Sequence, residues 1–523
     1  MRLEDIYSEC LGIIGPDVWD EIIVSCGSAA EADSIPGAIG RMTGPLGLPP
    51  YAAELARLEL TVFRIGGTAM PGRVDTRDLN PALSVFRARW KGLASLITSD
   101  HETDRVRPEP GDELLLVWKD PSDGDVRCRP AVDEDLLVMK MTVEGISSRQ
   151  VASEGRLAVS AANSAIDRAI RNGILLSPSS LLRREYSGWP PAGTCDDLYM
   201  SATSFTLQWH ITQACDLHCK HCYDRTAREQ PTLDDAIRIL DNLHDFCLER
   251  NVNGRICFSG GNPLLYPHFQ ELYRRAAERG FALSILGNPS PRKMIEEIVS
   301  IHRPDFFQVS LEGLQDHNDL IRGQGHFAHT IEFLNLLKEL NIYSMVMLTL
   351  TKENMHQVIP LGEILCGLSD TFNFNRLSLV GEGAGLKLPD KKEYVAFLKS
   401  YIAAARENPV LGLKDNLINI VRHQKGEDLF GGCTGFGCGA AFNFLSLLAD
   451  GEVHACRKLP SRVGNIHETG LAGIYDSEQA RRYRSGPAEC QGCPVRHACR
   501  GCPAISHSHG LNIFSEKDPF CFI

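Results

Sequence analysis

The sequence predicts an α/β protein whose central part is an incomplete barrel of six β/α units. Strand-like and helix-like stretches alternate from residue 204 onward, and the predicted strands are short and apolar, as buried parallel strands are. Cysteines are concentrated directly after the first of these strands and again near the C-terminus. With 523 residues, the chain is also longer than one domain usually is.

Composition and pattern divide the chain into five segments. Residues 1–105 are predicted to be mainly helical, and no catalytic motif is found there. Residues 106–185 are predicted to form a hairpin and three helices, residues 186–203 a linker, residues 204–385 the partial barrel and residues 386–523 a cysteine-rich domain.

The hairpin in the second segment is indicated by two apolar runs around a turn sequence. Leu114–Lys119 and Val126–Arg129 flank Asp-Pro-Ser-Asp-Gly, which combines several turn-forming residues. Three helical stretches follow, and the last ends at Asn172-Gly173.

Six strands are predicted in the barrel segment. They are Phe205–Thr212, Arg255–Ser259, Phe281–Leu286, Phe306–Leu311, Ser344–Leu350 and Asn373–Val380. In barrels of this type, the chemistry gathers at the carboxyl ends of the strands.

Charge and composition argue against several partners. The formal net charge is -12 without a long like-charge block, which disfavours nucleic acid and an acidic membrane surface. No apolar run approaches the roughly 20 residues of a membrane span, and the N-terminus lacks the pattern of a signal peptide. We therefore expect a cytoplasmic protein without nucleic-acid or membrane partners.

The 18 cysteines in a chain without an export signal indicate metal binding or catalysis rather than disulfides. Seven are scattered, most of them among apolar neighbours, and are interpreted as small core residues. These are Cys10, Cys26, Cys128, Cys195, Cys247, Cys257 and Cys366.

Cys215, Cys219 and Cys222 follow the first barrel strand at a C-x3-C-x2-C spacing. A loop leaving a strand can place three such thiols around an iron–sulfur cube. Because a [4Fe–4S] cluster has four irons, three cysteines leave one iron open for a small chelating molecule. The alternative is zinc, which usually takes four protein ligands in structural sites.

The second barrel strand is followed by Gly260, Gly261, Asn262 and Pro263. Two glycines allow backbone groups to approach a ligand closely. The alternative is an ordinary strand-to-helix turn.

The cysteine spacing resembles the signature of radical S-adenosylmethionine (SAM) enzymes, and His221 fits its aromatic-type position. The resemblance implies a TIM-like partial (β/α)6 barrel with SAM bound at the open iron of the cluster. It also places Tyr223, beside the third cysteine, in the cofactor site. Gly260–Pro263 resembles the family's Gly-Gly-Glu-Pro motif, which holds the methionine amino group of SAM. Asn262 departs from the motif, because an amide retains an acceptor oxygen but lacks the charge.

Four further polar residues are assigned to the cofactor site, three by the same resemblance and Arg376 by its place on the last predicted strand. Ser310 and Glu312 match positions that contact the SAM ribose or carboxylate in relatives. Arg322 lies in a stretch that resembles one whose Arg binds near the cofactor, and Arg376 is expected near the adenosyl part. Each of them alone could also be a surface charge.

The C-terminal cysteines resemble the SPASM domain, which carries two auxiliary [4Fe–4S] clusters. The resemblance assigns Cys433, Cys438, Cys456 and Cys502 to the first cluster, and Cys490, Cys493, Cys499 and Cys521 to the second. Two residues rather than three separate Cys499 from Cys502, a departure that concerns the assignment of Cys502. The alternative is a pair of zinc knuckles.

Residues 106–185 resemble the winged-helix, RRE-like recognition domain of peptide-modifying enzymes, in which a leader peptide adds a strand to the hairpin edge. A DNA-binding winged helix would need a basic recognition helix, and this one offers Arg168 and Arg171 against Asp167. A purely structural role is the third possibility.

The combination resembles maturases of ribosomally synthesised peptides, including those for thio(seleno)oxazole modification. This implies that SAM is cleaved reductively to a 5′-deoxyadenosyl radical, which abstracts hydrogen from a precursor peptide bound through its leader. The expected product is oxidised by two electrons, as a thioether, another cross-link or a dehydrogenated residue. An electron donor such as flavodoxin or ferredoxin is also implied.

Two alternatives remain at this stage. One is a sulfatase-maturase-like enzyme or a small-molecule radical SAM dehydrogenase, although Arg457 stands where sulfatase relatives carry an Asp. The other is a zinc-binding winged-helix regulator.

Overall fold

The computed structural model describes residues 2–27, 31–72, 74–98, 105–184 and 197–523. The chain forms two compact units. One comprises Met1–Gln150 and Ala162–Pro178, and the other comprises Val151–Ala161 and Ser179–Ile523. Residues 186–196 of the predicted linker, which include Cys195, lie outside the described residues.

The elements up to residue 178 are short helices and two small sheets. The helices are α1 (Leu3–Ile6), α2 (Ser8–Ile14), α3 (Pro16–Ser25), α4 (Ile35–Met42), α5 (Ala52–Gly66), α6 (Leu93–Thr98), α7 (Asp133–Glu144), α8 (Ser148–Gly155) and α9 (Val159–Arg171). The strands are β1 (Asp78–Leu79), β2 (Leu83–Lys91), β3 (Glu109–Lys119), β4 (Val126–Pro130) and β5 (Leu175–Leu176).

The predicted hairpin is present as β3 and β4, which pair antiparallel from Leu115↔Pro130 to Lys119↔Val126. Strand β2 pairs with the other edge of β3, so the sheet order is β2-β3-β4. Strand β2 was not predicted, because it lies within residues 1–105, which were expected to be mainly helical. As a result, β4 rather than β3 is the hairpin strand at the edge of this sheet.

One apolar core lies beneath this sheet. Helix α5 buries Leu55, Leu58 and Leu60, and these side chains belong to the same cluster as Leu115 and Val117 of β3. The helices before residue 67 and the predicted hairpin therefore share a hydrophobic core, as elements of one small layered domain do.

The second unit contains longer helices and a large sheet. Its helices are α10 (Leu233–Glu249), α11 (Phe269–Glu278), α12 (Arg292–Ile301), α13 (Gln315–Arg322), α14 (His326–Glu339), α15 (Val358–Leu365), α16 (Lys391–Glu407), α17 (Ile418–Gln424), α18 (Leu471–Asp476), α19 (Glu478–Ser485) and α20 (Pro503–Ser508). Its strands are β6 (Ser204–Thr212), β7 (Asn253–Gly260), β8 (Ala282–Leu286), β9 (Phe306–Ser310), β10 (Ser344–Leu350), β11 (Thr371–Arg376), β12 (Phe444–Leu447), β13 (Glu452–His454) and β14 (Arg462–Asn465).

The sheet has the order β11-β10-β9-β8-β7-β6-β12-β13-β14. Strands β6 to β11 are parallel and lie in chain order, which confirms the six predicted strands. Strand β12 runs parallel to β6, and β13 and β14 are antiparallel additions; none of these three strands was predicted from the sequence. This mixed α/β fold is consistent with a partial barrel, and its parallel strands all end at one edge.

The barrel strands are apolar because both of their faces are covered. In β6, Phe205, Leu207, Trp209 and Ile211 are fully buried, and His210 between them is buried as well. Such strands give little alternation between apolar and polar residues. Within the described ranges, no helix has both the length and the apolar character needed to cross a membrane.

Candidate active site and auxiliary cysteine groups

The loop after β6 brings the three predicted cluster cysteines together. Cys215 is exposed, whereas Cys219 and Cys222 are partly buried. The backbone N–H of Cys222 donates to the carbonyl of Cys219 at 3.2 Å. Burial raises the pKa of Cys219, Arg322 opposes that shift, and the charges of Cys215 and Cys222 reinforce it. The three thiols therefore lie close enough to affect one another electrostatically, and three neighbouring thiolates are suitable ligands for an iron–sulfur cluster.

Gly260 and Gly261 hold the end of β7 against this loop. A Cβ atom at Gly260 would lie far inside van der Waals distance of the Thr212 carbonyl oxygen, and one at Gly261 would collide with the Ala214 carbonyl in the same way. The N–H groups of Gly261 and Asn262 donate to those two carbonyls at 2.8 and 2.7 Å. Glycine is therefore required at these two positions because the backbone of the cysteine loop packs against them. The sequence analysis had explained the glycines by the close approach of a ligand.

Asn262 is buried, and both ends of its amide have protein partners. Its Oδ1 accepts a hydrogen bond from Leu264 N at 3.3 Å and caps the 3₁₀ turn Pro263–Leu265. Its Nδ2 donates to Asp216 Oδ1 at 3.2 Å. Asn288, which follows β8, donates to the same oxygen at 2.6 Å and to Cys215 Sγ at 3.7 Å.

Glu312 and Arg322 form a buried ion pair beside Cys219. Arg322 Nε and Nη2 donate to Glu312 Oε1 at 2.9 and 2.6 Å, and Arg322 Nη1 lies 3.8 Å from Cys219 Sγ. The second carboxylate oxygen accepts from Thr349 N at 2.8 Å. His221 Nε2 is 3.4 Å from Glu312 Oε1. The structure thus places Glu312 and Arg322 beside the cysteine loop.

The Glu312 carboxyl group remains ionised in this environment. Burial alone would raise its pKa, but the neighbouring His221 and Arg322 side chains and the hydrogen bonds from Arg322 and Thr349 hold the pKa below its usual range. Ser310 ends β9, where it lies opposite Met347 of β10.

Arg376 belongs to an ion-pair network that joins the last barrel strand to the C-terminal region. Its Nε donates to Asp415 at 2.8 Å, and its two Nη atoms donate to Asp518 at 3.0 and 2.7 Å. Asp518 also accepts from the backbone N–H of Cys502 at 2.9 Å. Arg376 is thus fully engaged with two carboxylates, and no contact with Glu312 is found among the described residues.

Tyr223 and Asp224 contact the residue after the predicted ligand Cys456. The Arg457 guanidinium lies 5.0 Å above the Tyr223 ring and forms an ion pair with Asp224. Burial opposes ionisation of Asp224, but hydrogen bonds from Thr226 and the nearby arginine charges lower its pKa to about 2. The ion pair between Asp224 and Arg457 therefore connects the cysteine loop to the C-terminal domain.

The cysteines predicted for the first auxiliary cluster lie together. Burial raises the pKa of Cys438 to about 11, with Arg500 opposing the shift and Cys502 and Cys433 adding to it. The pKa of Cys456 rises to about 12, again mainly through burial and further through Cys502 and Cys438. Cys502, whose spacing departs from the family pattern, is therefore close to both Cys438 and Cys456.

The four cysteines predicted for the second auxiliary cluster line a single cavity. They are Cys490, Cys493, Cys499 and Cys521. Arg496, Arg500 and Lys517 line the same cavity and would offset the negative charge of a cluster held by four thiolates. Among the described residues, no three His, Cys, Asp or Glu side chains converge closely enough for a single metal ion. Groups of four thiolates are the donor set that iron–sulfur clusters take.

Sequence reasoning missed Asp216, Asn288 and the Asp224–Arg457 pair. Asp216 and Asn288 are 72 positions apart, and Asp224 and Arg457 are 233 apart, so no local pattern connects them. The available signal was position: Asn288 is a polar residue directly after a barrel strand, where chemistry is expected.

Comparison with protein families identifies two domains. The profile described as Radical SAM superfamily matches residues 209–363, and the one described as SPASM, an iron–sulfur cluster-binding domain, matches residues 438–503. The first match contains the cysteine loop, the glycine pair and the buried Glu312–Arg322 pair. These matches support iron–sulfur sites over zinc.

Two curated relatives illustrate the range of similar proteins. An AdoMet-dependent heme synthase from Methanosarcina barkeri is 24% identical over 348 residues, which cover 60% of this chain and 95% of that protein. The mycofactocin maturase MftC from Mycolicibacterium smegmatis is 25% identical over 333 residues, covering 60% of this chain and 82% of that protein.

Among solved structures, Streptococcus suis SuiB bound to its precursor peptide SuiA is similar to this chain with a TM-score of 0.51. The sequences are 16% identical, and the match covers 79% of this chain and 97% of SuiB. At this identity the similarity concerns the fold.

Proposed function

We propose that this chain, an enzyme that carries a radical SAM domain followed by a SPASM domain, modifies a ribosomally synthesised precursor peptide. The observation that carries the proposal is the sheet β2-β3-β4, whose hairpin strand β4 has no strand on its outer edge among the described residues. An extended leader peptide can add a strand to such an edge. The RRE-like, winged-helix interpretation of residues 106–185 belongs to this proposal.

The similarity to SuiB supports the same function. A match over 79% of this chain is longer than residues 204–523, so it extends N-terminal to the barrel. The structure of SuiB contains its precursor peptide. The name MftC also denotes a maturase.

Cys215, Cys219 and Cys222 would hold the [4Fe–4S] cluster that binds SAM, leaving one iron open. SAM and this cluster together supply a 5′-deoxyadenosyl radical able to take hydrogen from an unactivated carbon. Arg322 donates toward Cys219 and fixes Glu312, so both side chains are positioned before a substrate arrives. Because Glu312 is buried, this side of the site excludes water.

The two auxiliary groups would carry electrons. Eight cysteines suffice for two fully ligated clusters, which leave no iron for substrate and therefore favour electron transfer. Each event removes two hydrogens from the peptide. One leaves as a hydrogen atom in 5′-deoxyadenosine, and the other leaves as a proton while its electron passes to an acceptor. A donor such as flavodoxin or ferredoxin would supply the starting electron in the cytoplasm.

The product mass tests this proposal. A peptide made from a short coding sequence beside this gene, incubated anaerobically with reconstituted enzyme, SAM and dithionite, should lose about 2 Da per event, with one 5′-deoxyadenosine formed. Reactions without SAM give the baseline. An unchanged mass with inverted stereochemistry would contradict the two-electron oxidation.

The edge of β4 gives a second, separable test. Ala131 N donates to Leu114 O, and the N–H direction alternates along a strand, so the N–H of Cys128 points away from β3. Cys128→Pro removes this outward donor and should weaken leader binding by the full-length enzyme several-fold. Cys128→Ala is the matched control, because it shortens the side chain and keeps the donor. Equal leader affinity of both variants would exclude pairing along β4.

A small-molecule reaction is the second candidate, because one relative is named a heme synthase and the match covers 95% of that protein. It predicts turnover that does not depend on the sheet edge. The sulfatase-maturase alternative is less favoured, since Arg457 is held by Asp224 where those relatives place a carboxylate.

A further inference from the structure

Asn262 is poorly suited to bind a cation, because its amide carries no charge and its oxygen already accepts one hydrogen bond. Its Oδ1 already accepts a hydrogen bond from Leu264 N, while its Nδ2 is a donor directed at Asp216. An ammonium group brings three donors and requires acceptors. The family motif has a carboxylate at this position, and this chain has a neutral amide whose oxygen caps a turn.

Asp216 lies directly against that amide. Its Oδ1 accepts from Asn262 Nδ2 at 3.2 Å and from Asn288 Nδ2 at 2.6 Å. Both amides are buried, with Asn262 3% and Asn288 8% exposed. Among the described residues, no hydrogen bond reaches Oδ2 of Asp216. Two rigid donors therefore fix one carboxylate oxygen and leave the other available.

The charge of Asp216 is also not neutralised by an ion pair. Glu312, the other carboxylate beside the cysteine loop, is paired with Arg322 at 2.6 Å. For Asp216, no basic group lies within ion-pair distance in the described part of the chain. The residue adjoins Cys215, so its negative charge stands at the edge of the proposed SAM site.

We infer that Asp216 supplies the negative charge that the Gly-Gly-Asn-Pro loop lacks, and that it binds the methionine ammonium group of SAM. In this arrangement the carboxylate has moved from the glycine loop to the cysteine loop, and Asn262 and Asn288 orient it. The inference rests on the SAM site of the proposed function and does not depend on the peptide substrate.

Binding measurements test the inference without turnover. The anaerobically reconstituted enzyme, kept without reductant, is titrated by equilibrium dialysis with SAM and with the SAM analogue in which an oxo group replaces the amino group. Asp216→Asn should weaken SAM binding about tenfold or more, because a hydrogen bond to a charged group is lost. It should change the affinity for the deaminated analogue less than about threefold. This difference isolates the contact with the ammonium group.

Two further variants keep the test decisive. Asp216→Asn combined with Asn262→Glu restores a carboxylate at the motif position, and SAM affinity should return to within about threefold of wild type. Asn288→Ala leaves the cysteine loop unchanged in sequence and should reduce the discrimination between the two ligands about threefold. Iron content is measured for each variant to verify the cluster.

The outcomes separate this inference from the proposed function. Equal SAM affinity in Asp216→Asn and wild type would overturn the inference, as would an equal loss of affinity for both ligands, which would make Asp216 a loop-positioning residue. If wild-type enzyme bound neither ligand, the SAM site of the proposed function would itself be wrong.

Discussion

Glu312 and Arg322 form a charged contact that is almost closed to solvent. Their side chains are 2% and 10% exposed, and Arg322 also donates toward Cys219. Removing one partner of a buried pair leaves an uncompensated charge, which costs about 3–5 kcal/mol. The pair is therefore expected to matter for stability as well as for positioning the cysteine loop.

Arg322→Gln should lower the thermal unfolding midpoint by about 5 °C or more, because it strands the Glu312 carboxylate in a dry environment. The matched control is Arg279→Gln, which removes the more exposed pair with Asp241 and should shift the midpoint by about 2 °C or less. Differential scanning fluorimetry of both proteins measures the difference. Equal midpoints would show that the Glu312 charge is compensated in another way.

For individual residues, the sequence was sufficient to select candidates after the barrel strands. It did not reveal their hydrogen-bond partners, which lie far away in the chain. Glu312 was identified because it matches a family position after the predicted strand Phe306–Leu311, and Arg322 because it lies in a stretch that resembles the family. The clamp of Asp216 by Asn262 and Asn288 could not be predicted, because it joins the ends of three strands far apart in the chain. A role for a side chain could be inferred from its position in the sequence, but the residues that it contacts could be identified only from the folded structure.

The junction between β7 and the cysteine loop is the element on which the site depends. Gly260 and Gly261 lie so close to Thr212 and Ala214 that a side chain at either position would displace the loop. Gly260 also has a φ of +136°, which favours glycine. The sequence predicted both glycines as site residues, and the structure supplies a different reason for them.

Gly261→Ala should push the loop away and reduce iron at the first cluster, lowering the total by about four irons per chain. Gly385→Ala is the control, because a Cβ atom there meets open space and that glycine belongs to a nearby 3₁₀ turn. Iron analysis after anaerobic reconstitution compares the two. A normal iron count in Gly261→Ala would mean that the loop tolerates the displacement.

The elements themselves were predictable where periodicity was long. Strands β6 to β11 were identified because each buried apolar run is followed by a clear helix. Strand β2 was missed inside a segment dominated by helices, and β12 to β14 because they contain only three or four residues each. They join the sheet because β12 pairs with β6, β13 with β12 and β14 with β13, and these contacts leave no local pattern in the sequence.

For the molecule as a whole, the proposed chemistry depends on three groups of cysteines. One group follows β6, and two lie in the C-terminal domain, where Cys502 is close to Cys438 and Cys456 despite its shortened spacing. Arg376 connects the barrel to this region through Asp518, whose carboxylate also binds the backbone of Cys502. Arg376 was predicted beside the adenosyl group because it lies on the last predicted strand, and its ion-pair partners were not visible in the sequence.

The central claim is that Cys215, Cys219 and Cys222 hold the cluster that cleaves SAM. Wild-type enzyme should contain about twelve irons per chain, and the triple Ala variant should contain about eight. The triple variant should form no 5′-deoxyadenosine with dithionite, while Cys366→Ala, at an exposed cysteine outside the three groups, should retain both iron and activity. Formation of 5′-deoxyadenosine by the triple variant would contradict the account.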